Sequence, residues 1–304
     1  MVSSFKSDLM KVLITGASGF VGTALTQKLI QKGYEVIGVS RNPMKQQDRQ
    51  GLRWVTLGNA PETDAVIHLA GENVLGIWIE SKKRRVYQSR IEGTRRLMET
   101  IHSWARKPTV LIGASAVGIY EDHGSEIIEE NHGSDSEGGF LAQVCHDWES
   151  ENRKAEKQGV RVVLTRIGLV MDPSDGMLGK QWRTMKCRVC LLPAKPADYL
   201  PWISLEDLVR LIIYSLENNQ VQGAINATAP HPIQAQEWMD ELDRYFKFWI
   251  KGFLPEFFLK PLGKEFCQVL YSSKRVVPRK LLDLGFEFSH STWQKYLASL
   301  FPDS

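Results

Sequence analysis

Gly16, Gly19 and Gly22 fall at three-residue intervals in the stretch Lys11-Val-Leu-Ile-Thr-Gly-Ala-Ser-Gly-Phe-Val-Gly22. Residues 12 to 15 are an apolar, β-prone run, and Val21, Leu25 and Leu29 recur at helical spacing. The glycines therefore join a buried strand to the start of a helix. The chemistry such a turn suits is the binding of a pyrophosphate. One glycine allows the tight turn, one removes a Cβ that would block the ligand, and one lets strand and helix pack closely. The N–H groups at the helix start, near Phe20 and Val21, then face an anion. A strand before and an amphipathic helix after separate this turn from an ordinary glycine-rich loop, and together they predict a dinucleotide site.

Other residues refine the ligand. The second predicted strand, Glu35–Ser40, ends in Ser40 and Arg41 with no acid. An Asp or Glu there would accept from the adenosine ribose hydroxyls and select NAD. A guanidinium can instead stack on adenine and grip a 2′-phosphate with a fork of donors, with the Ser40 hydroxyl adding a contact. The pattern favours NADP; the plain alternative is that Arg41 only opens a surface loop. After strand Ala65–Leu69 the chain turns small, Leu69-Ala-Gly-Glu-Asn73, which suits a backbone passing close under the adenine–ribose side of the cofactor at Leu69 and Ala70. His68 reads as a packed strand residue. On helix Glu80–Ser103 the apolar stripe is Tyr87, Ile91, Thr94, Met98 and Ile101, and Arg90 flanks it. A charge at a core edge needs a partner, either a cofactor phosphate or ribose or a structural ion pair. Val170, just past strand Val160–Ile167, is assigned to the nicotinamide end from its strand position.

These residues need a scaffold, and the first half supplies one. Strand candidates Val12–Thr15, Glu35–Ser40, Arg53–Leu57, Ala65–Leu69, Thr109–Ala114 and Val160–Ile167 alternate with helices Phe20–Lys32, Glu80–Ser103 and Phe140–Gln158. Continuous apolar strands between helices predict an α/β, doubly wound parallel sheet of Rossmann-like type. Its ligand crevice lies at the carboxyl ends of the strands. Residues 10–170 form the expected nucleotide-binding domain and 171–304 a smaller C-terminal substrate lobe, with about 200–230 returning to the main sheet. The lobe carries helical patterns Leu205–Glu217, Ile233–Tyr245 and Ser291–Phe301 and an aromatic segment Trp249–Tyr271.

The 304 residues are 43% hydrophobic and 24% charged, ordinary for a globular chain with a sizeable core. A net charge of +3 is too small to imply nucleic acid, and Lys82-Lys83-Arg84-Arg85 reads as a solvated helix face. Met1–Met10 lacks the apolar core of a secretory signal, and no run approaches a membrane span. The four cysteines, Cys145, Cys187, Cys190 and Cys267, make no disulfide framework, and Cys187-x-x-Cys190 lacks a second pair or a histidine at zinc spacing. The expectation is a cytoplasmic protein without a metal, a nucleic-acid partner or a membrane partner.

The glycine turn, Leu69-Ala-Gly71, Ser115-Ala-Val-Gly-Ile-Tyr120 and Pro201-Trp-Ile-Ser-Leu-Glu-Asp-Leu-Val resemble the short-chain dehydrogenase/reductase superfamily in its extended, epimerase-like branch. A closer resemblance is to the atypical NAD(P)-dependent subgroup labelled epimerase family protein, with its distinctive C-terminal segment. It rests on His68-Leu-Ala-Gly-Glu-Asn73, Ser89-Arg-Ile91, Phe140-Leu-Ala-Gln-Val-Cys-His-Asp-Trp-Glu149, Gly223-Ala-Ile-Asn-Ala-Thr-Ala-Pro230 and Arg275-Val-Val-Pro-Arg-Lys-Leu-Leu-Asp-Leu-Gly285. It spans about residues 10–300 and implies an NADP-binding fold. The superfamily's chemistry rests on a Tyr with a Lys four residues later, whose charge lowers the Tyr pKa for proton transfer. None of the eight tyrosines here has Lys at that spacing; Tyr271 has Arg275, in another segment, and the expected positions hold Phe140 and Val144. The resemblance leaves Ser115, at the end of the fifth strand, as the group facing a substrate carbonyl, and Tyr120 as a further candidate for the same crevice. A packing role stands beside each. Residues 181–200 are cationic and apolar where relatives are glycine-rich, and they are expected to line the substrate side.

Two functions follow as expectations. One is an NADP-dependent oxidoreductase or epimerase acting on an unknown carbonyl or sugar-like small molecule. The other is a non-catalytic NADP(H)-binding protein that senses redox state. The long helices of the first half could pair between two copies as a homodimer.

Overall fold

The computed structural model describes residues 10–74, 76–132 and 139–302; residues 1–9, read above as free of a secretory signal, lie outside the described residues. In chain order come β1 (Lys11–Thr15), α1 (Phe20–Gln31), β2 (Glu35–Val39), β3 (Leu52–Val55), β4 (Ala65–His68) and α2 (Glu80–Ser103). β5 (Val110–Ala116), β6 (Ile127–Ile128), α3 (Phe140–Arg153), β7 (Arg161–Ile167), β8 (Leu169–Met171), α4 (Gly176–Lys186) and β9 (Val189–Leu192) follow. Next are β10 (Tyr199–Leu200), β11 (Trp202–Ser204), α5 (Leu205–Glu217), β12 (Gly223–Ala227), β13 (Ile233–Gln234) and α6 (Ala235–Phe246). The chain closes through β14 (Ile250–Phe253), α7 (Lys264–Leu270), β15 (Arg275–Val276), α8 (Arg279–Asp283) and α9 (Trp293–Leu300).

Seven strands make one sheet in the order β12-β7-β5-β4-β1-β2-β3, every neighbouring pair parallel. The continuous apolar runs follow from burial on both faces. Val12, Ile14, Ile67 and Ile112 point to the layer where α1 and α5 place Leu25, Leu29, Leu208, Leu211 and Ile212. Leu13, Val66 and Leu111 point to the opposite layer, against Leu97, Met98 and Ile101 of α2. This is the doubly wound, Rossmann-like sheet expected from the alternation. The strand order reverses between β1 and β4, so the crevice opens at their carboxyl ends.

A second core gathers Trp202, Trp238 and Trp293 with Leu178, Met185 and Leu192. Three two-stranded pairs support it: β9 with β14, β10 with β13, and β11 with β8. The strand Trp202–Ser204 thus pairs with β8 instead of the main sheet, while α5 and β12 belong to the main sheet's layers. Two boundaries differ from the sequence pattern in ways that matter. β5 runs on to Ala116, two residues past the apolar run, so Ser115 is a strand residue. The helix after Phe140 ends at Arg153 and continues as a 3-10 turn, Lys154–Gln158. Among the described residues no helix is long and apolar enough to cross a membrane.

Candidate functional site

At the carboxyl end of β1 the chain turns through Gly16, whose φ of 76° is left-handed and favours glycine. A Cβ on Gly16 would lie 2.9 Å from the Ala70 amide nitrogen, and a Cβ on Gly22 would overlap the Gly16 carbonyl oxygen. Both clashes are with backbone, which has little freedom to move. Gly19 is the N-cap of α1; no side chain caps that helix, and its first turn carries no acid. The positive end of α1 is therefore left open to an outside anion. Phe20 and Val170 meet around Gly176, where a Cβ would overlap the Val170 carbonyl oxygen and lie 3.2 Å from the Phe20 ring.

The same crevice gathers the other predicted ligand-binding residues. Leu69 and Ala70 press on Gly16. Arg90 packs its guanidinium against Gly71, donates to the Glu72 carbonyl at 3.0 Å, and lies 5.0 Å from the Trp148 ring centre. Burial holds its pKa below the usual arginine value, and among the described residues no acid forms an ion pair with it. Ser40 accepts from the Asn42 amide at 3.2 Å, and Arg41 is exposed. Lys82, hydrogen-bonded to Glu72 at 3.0 Å, holds that carboxyl below its ordinary range, with Arg85 and Arg41 adding to the effect. Arg41 thus lies within electrostatic reach of the loop after β4. The basic run on α2 is partly paired: Lys82 with Glu72, and Lys83 with Glu265 of α7 at 2.5 Å.

His68 sits in a chain of hydrogen bonds whose direction can be worked out. The Thr94 hydroxyl donates to the Arg90 carbonyl at 2.5 Å, so it accepts from His68 Nε2 at 2.9 Å. Nδ1 then accepts from the Thr15 hydroxyl at 2.5 Å, and that hydroxyl accepts from the Ala70 amide at 3.3 Å. Burial, with Arg90 nearby, pushes the His68 pKa down to about 4, so the ring is neutral. Its two nitrogens pin β1, β4 and α2 together beneath the crevice.

Ser115 and Tyr120 also share one network, and it is internal. The Ser115 hydroxyl donates to Glu149 of α3 at 2.8 Å. Arg166 of β7 forks onto the same carboxylate at 2.8 and 3.1 Å and donates to the Tyr120 oxygen at 2.7 Å. Tyr120 in turn donates to Asn226 of β12 at 2.7 Å. Both residues are 2% exposed, and burial pushes the Tyr120 pKa up to about 12. The hydroxyls proposed for proton transfer are thus occupied within the protein. The helix positions facing the loop after β5 also differ from those expected. Leu141 and Cys145, one turn apart, lie beside Gly118, whereas Phe140 stacks edge-on against Trp78 and Val144 is enclosed. Neither Leu141 nor Cys145 is a Tyr or Lys.

A cleft of about 550 Å³ opens beyond β5, between the nucleotide-binding layers and the C-terminal lobe. Gly118, Tyr120, Phe140 and Leu141 form one wall, and Lys195, Tyr271 and Lys274 line another. Lys195 comes from the segment expected to face the substrate. Sequence reading missed Lys274; Ser273-Lys-Arg-Val looks like a solvated stretch, and only the fold buries it. Cys187 is exposed and Cys190 buried, so that pair does not present two thiols to one site.

Residues 12–227 match the NAD dependent epimerase/dehydratase family, and residues 254–300 match a domain of unknown function, DUF1731. The epimerase family protein YfhF of Bacillus subtilis is 32% identical over 303 residues, covering 97% of this chain and 99% of its own. The chloroplastic SDR39U1 homologue of Arabidopsis thaliana, also named an epimerase family protein, is 31% identical over 304 residues and covers 95% of this chain and 86% of its own. The crystal structure of human epimerase family protein SDR39U1 with NADPH superposes with a TM-score of 0.87 at 26% identity, covering 97% of this chain and 100% of that one.

Proposed function

The chain belongs to the NAD dependent epimerase/dehydratase family, and from that premise we propose that it is an NADP(H)-binding, atypical short-chain dehydrogenase/reductase. Its substrate is a carbonyl or sugar-like small molecule held in the cleft beyond β5. The observation that carries the cofactor assignment is the cradle at Gly16 and Gly22, where a Cβ would strike backbone, below the uncapped start of α1. Gly16, Gly19, Phe20, Val21 and Gly22 would hold the pyrophosphate, Ser40 and Arg41 the 2′-phosphate, and Leu69 and Ala70 the adenosine side. Arg90 would meet a phosphate or ribose oxygen, and Val170 the nicotinamide end. The NADPH of the human relative's crystal structure supports the same reading. When bound, the cofactor would supply or accept a hydride.

The test is a titration with NADPH and NADH, wild type beside Arg41→Asp, followed by turnover on a panel of aldehydes and ketones. Tighter binding of NADPH, lost or inverted in the variant, supports the assignment; no binding of either cofactor sinks it.

A second reading is favoured by the enclosed hydroxyls of Ser115 and Tyr120, which leave the usual proton donor without a replacement at those positions. In that reading the protein binds NADP(H) without turnover and reports redox state. It requires different affinities for NADP⁺ and NADPH, since a pair of ligands bound equally shifts no equilibrium. Equal dissociation constants for the two forms would remove it.

A further inference from the structure

Reduction of a carbonyl requires a proton at its oxygen as well as a hydride at its carbon. Ser115 and Tyr120 donate to Glu149 and Asn226, and the Tyr271 hydroxyl donates to the Leu254 carbonyl at 2.6 Å. The cleft wall holds one more proton carrier of unusual placement. Lys274 lines the cleft and is 7% exposed, and among the described residues no hydrogen bond or ion pair holds its ammonium. Lys195, on the same wall, is exposed to water. Glu265 is tied to Lys83 at 2.5 Å. A charge taken out of water without an acid beside it is unfavourable. It is relieved when a ligand brings an oxygen to it or when the proton is given up.

The backbone around Lys274 is clamped from two sides. Its amide donates to the Tyr199 carbonyl at 3.2 Å. The neighbouring Ser273 hydroxyl accepts from the Tyr199 amide at 3.0 Å and donates to the Gly124 carbonyl at 2.7 Å. Arg275 and Val276 then pair with Ile127 and Ile128, and the Arg275 guanidinium lies 5.0 Å from the Tyr199 ring centre. The lysine is therefore presented to the cleft by a fixed support.

Resting on the NADP(H) reading above, we propose that Lys274 receives the carbonyl oxygen of the substrate and gives it a proton, taking the part that a tyrosine plays in the wider superfamily. The Nζ–H bond breaks as an O–H bond forms on the substrate, and the resulting amine regains a proton from water. The hydride that balances the reduction comes from NADPH, which ends as NADP⁺. Burial lowers the lysine pKa and so favours this transfer; Cys145 from α3, with Asp122 and Glu121 from the segment after β5, pull it partly back. Glu121, Asp122 and Glu256 are exposed acids on the cleft lining. They oppose a polyanionic ligand and favour an uncharged carbonyl compound.

The first test needs neither cofactor nor turnover. The protein is treated at pH 7 with glyceraldehyde and cyanoborohydride, and lysine adducts are followed in time by peptide mass spectrometry. Adduct formation at Lys274 at least tenfold faster than at Lys195 is expected; a Lys274 rate no faster than Lys195 overturns the proposal. The second test compares Lys274→Met and Lys274→Arg. Both are expected to keep NADPH affinity within about twofold, which shows the fold intact, and to lose carbonyl turnover at least a hundredfold. An arginine stays charged but cannot give up its proton, so near-wild-type turnover in Lys274→Arg would reduce the residue to a fixed charge and overturn the proton role. Failure of wild type to bind NADPH would remove the parent reading and with it the hydride that this step needs, whereas a slow adduct rate at Lys274 with NADPH binding intact would remove the lysine's role alone.

Discussion

Gly22 carries the strictest steric demand in the site, because a Cβ there meets the Gly16 carbonyl, itself fixed by the Gly19 amide at 3.0 Å. Gly22→Ala is expected to cost ~1–3 kcal/mol of stability through overpacking and to weaken NADPH binding at least tenfold, as read by urea unfolding and by fluorescence titration. His68 gives a test of a different kind. Its pKa falls from 6.5 to about 4 on burial, so between those values the unfolded chain binds a proton that the folded chain refuses. The stabilising effect is complete above pH 6.5 and declines as pH falls toward 4, by up to ~3 kcal/mol. Urea midpoints measured across that window should fall more steeply for wild type than for His68→Gln; parallel curves would show that His68 does not set the slope. Gly22 was legible from sequence because its demand is local, set by Gly16 and Ala17 a few positions away, and Gly16 because the turn itself takes it to positive φ. The partners of Ser115 and Tyr120 were not, since Glu149 and Asn226 lie 34 and 106 residues away and no periodicity links them. Lys274 was hidden for the same reason: the Tyr199 carbonyl that holds its amide and the Gly124 carbonyl that holds the neighbouring Ser273 are far from it in sequence.

The elements around β5 are joined by charge as much as by apolar packing. Glu149 on α3 is 5% exposed and takes Arg166 from β7 and Ser115 from β5, so one carboxylate ties a helix to two adjacent strands. Neutralising it in Glu149→Gln leaves the Arg166 guanidinium buried without its counter-charge, and a loss of ~3–5 kcal/mol is expected. Ser115→Ala removes a single hydrogen bond to an acid that keeps its fork of arginine donors, at a cost of ~1–2 kcal/mol. Chemical denaturation should rank the two variants in that order. Ser115→Ala should also bind NADPH as wild type does, because its hydroxyl faces α3. A collapse of carbonyl turnover in Ser115→Ala at unchanged stability would instead return Ser115 to the reacting oxygen. The sequence pattern placed this helix and both strands within a few residues. It stopped β5 at Ala114, where the apolar run stops, because hydrogen bonding to β7 and not hydrophobicity carries the strand to Ala116. Those two extra residues turn Ser115 toward α3.

Taken whole, the molecule is not a nucleotide-binding half with a detachable tail. Leu281 and Phe286 are part of the main-sheet core, and the Tyr214 hydroxyl of α5 donates to the Leu284 carbonyl at 2.6 Å. The start of α5 is closed by the same late segment. Ser204 caps it by accepting from the Asp207 amide at 3.1 Å, and Asp207 accepts from the Ser289 and His290 amides at 2.8 Å each. Composition changes near residue 170, where prolines and aromatic residues increase, and about 200–230 is expected from sequence to return to the main sheet; Leu281 and Phe286 join that sheet's core as well, through contacts that no periodicity announces. The consequence can be tested by shortening the chain at two points. Ending it at residue 270 removes Lys274, the partner strand of β6, two residues of the main core and both amides that satisfy buried Asp207. That chain is expected to lose its cooperative thermal transition and its NADPH binding together. Ending at residue 290 keeps all of those contacts and removes Trp293, Tyr296 and Leu297 from the second core, with Leu300 and Phe301 that pack against it. The longer chain should keep a cooperative transition at lower temperature and still bind NADPH, with protease cuts confined to the lobe. If the 270-residue chain instead unfolds cooperatively and binds NADPH as the full chain does, the late segment is an appendage and the cleft wall it provides is dispensable to the fold.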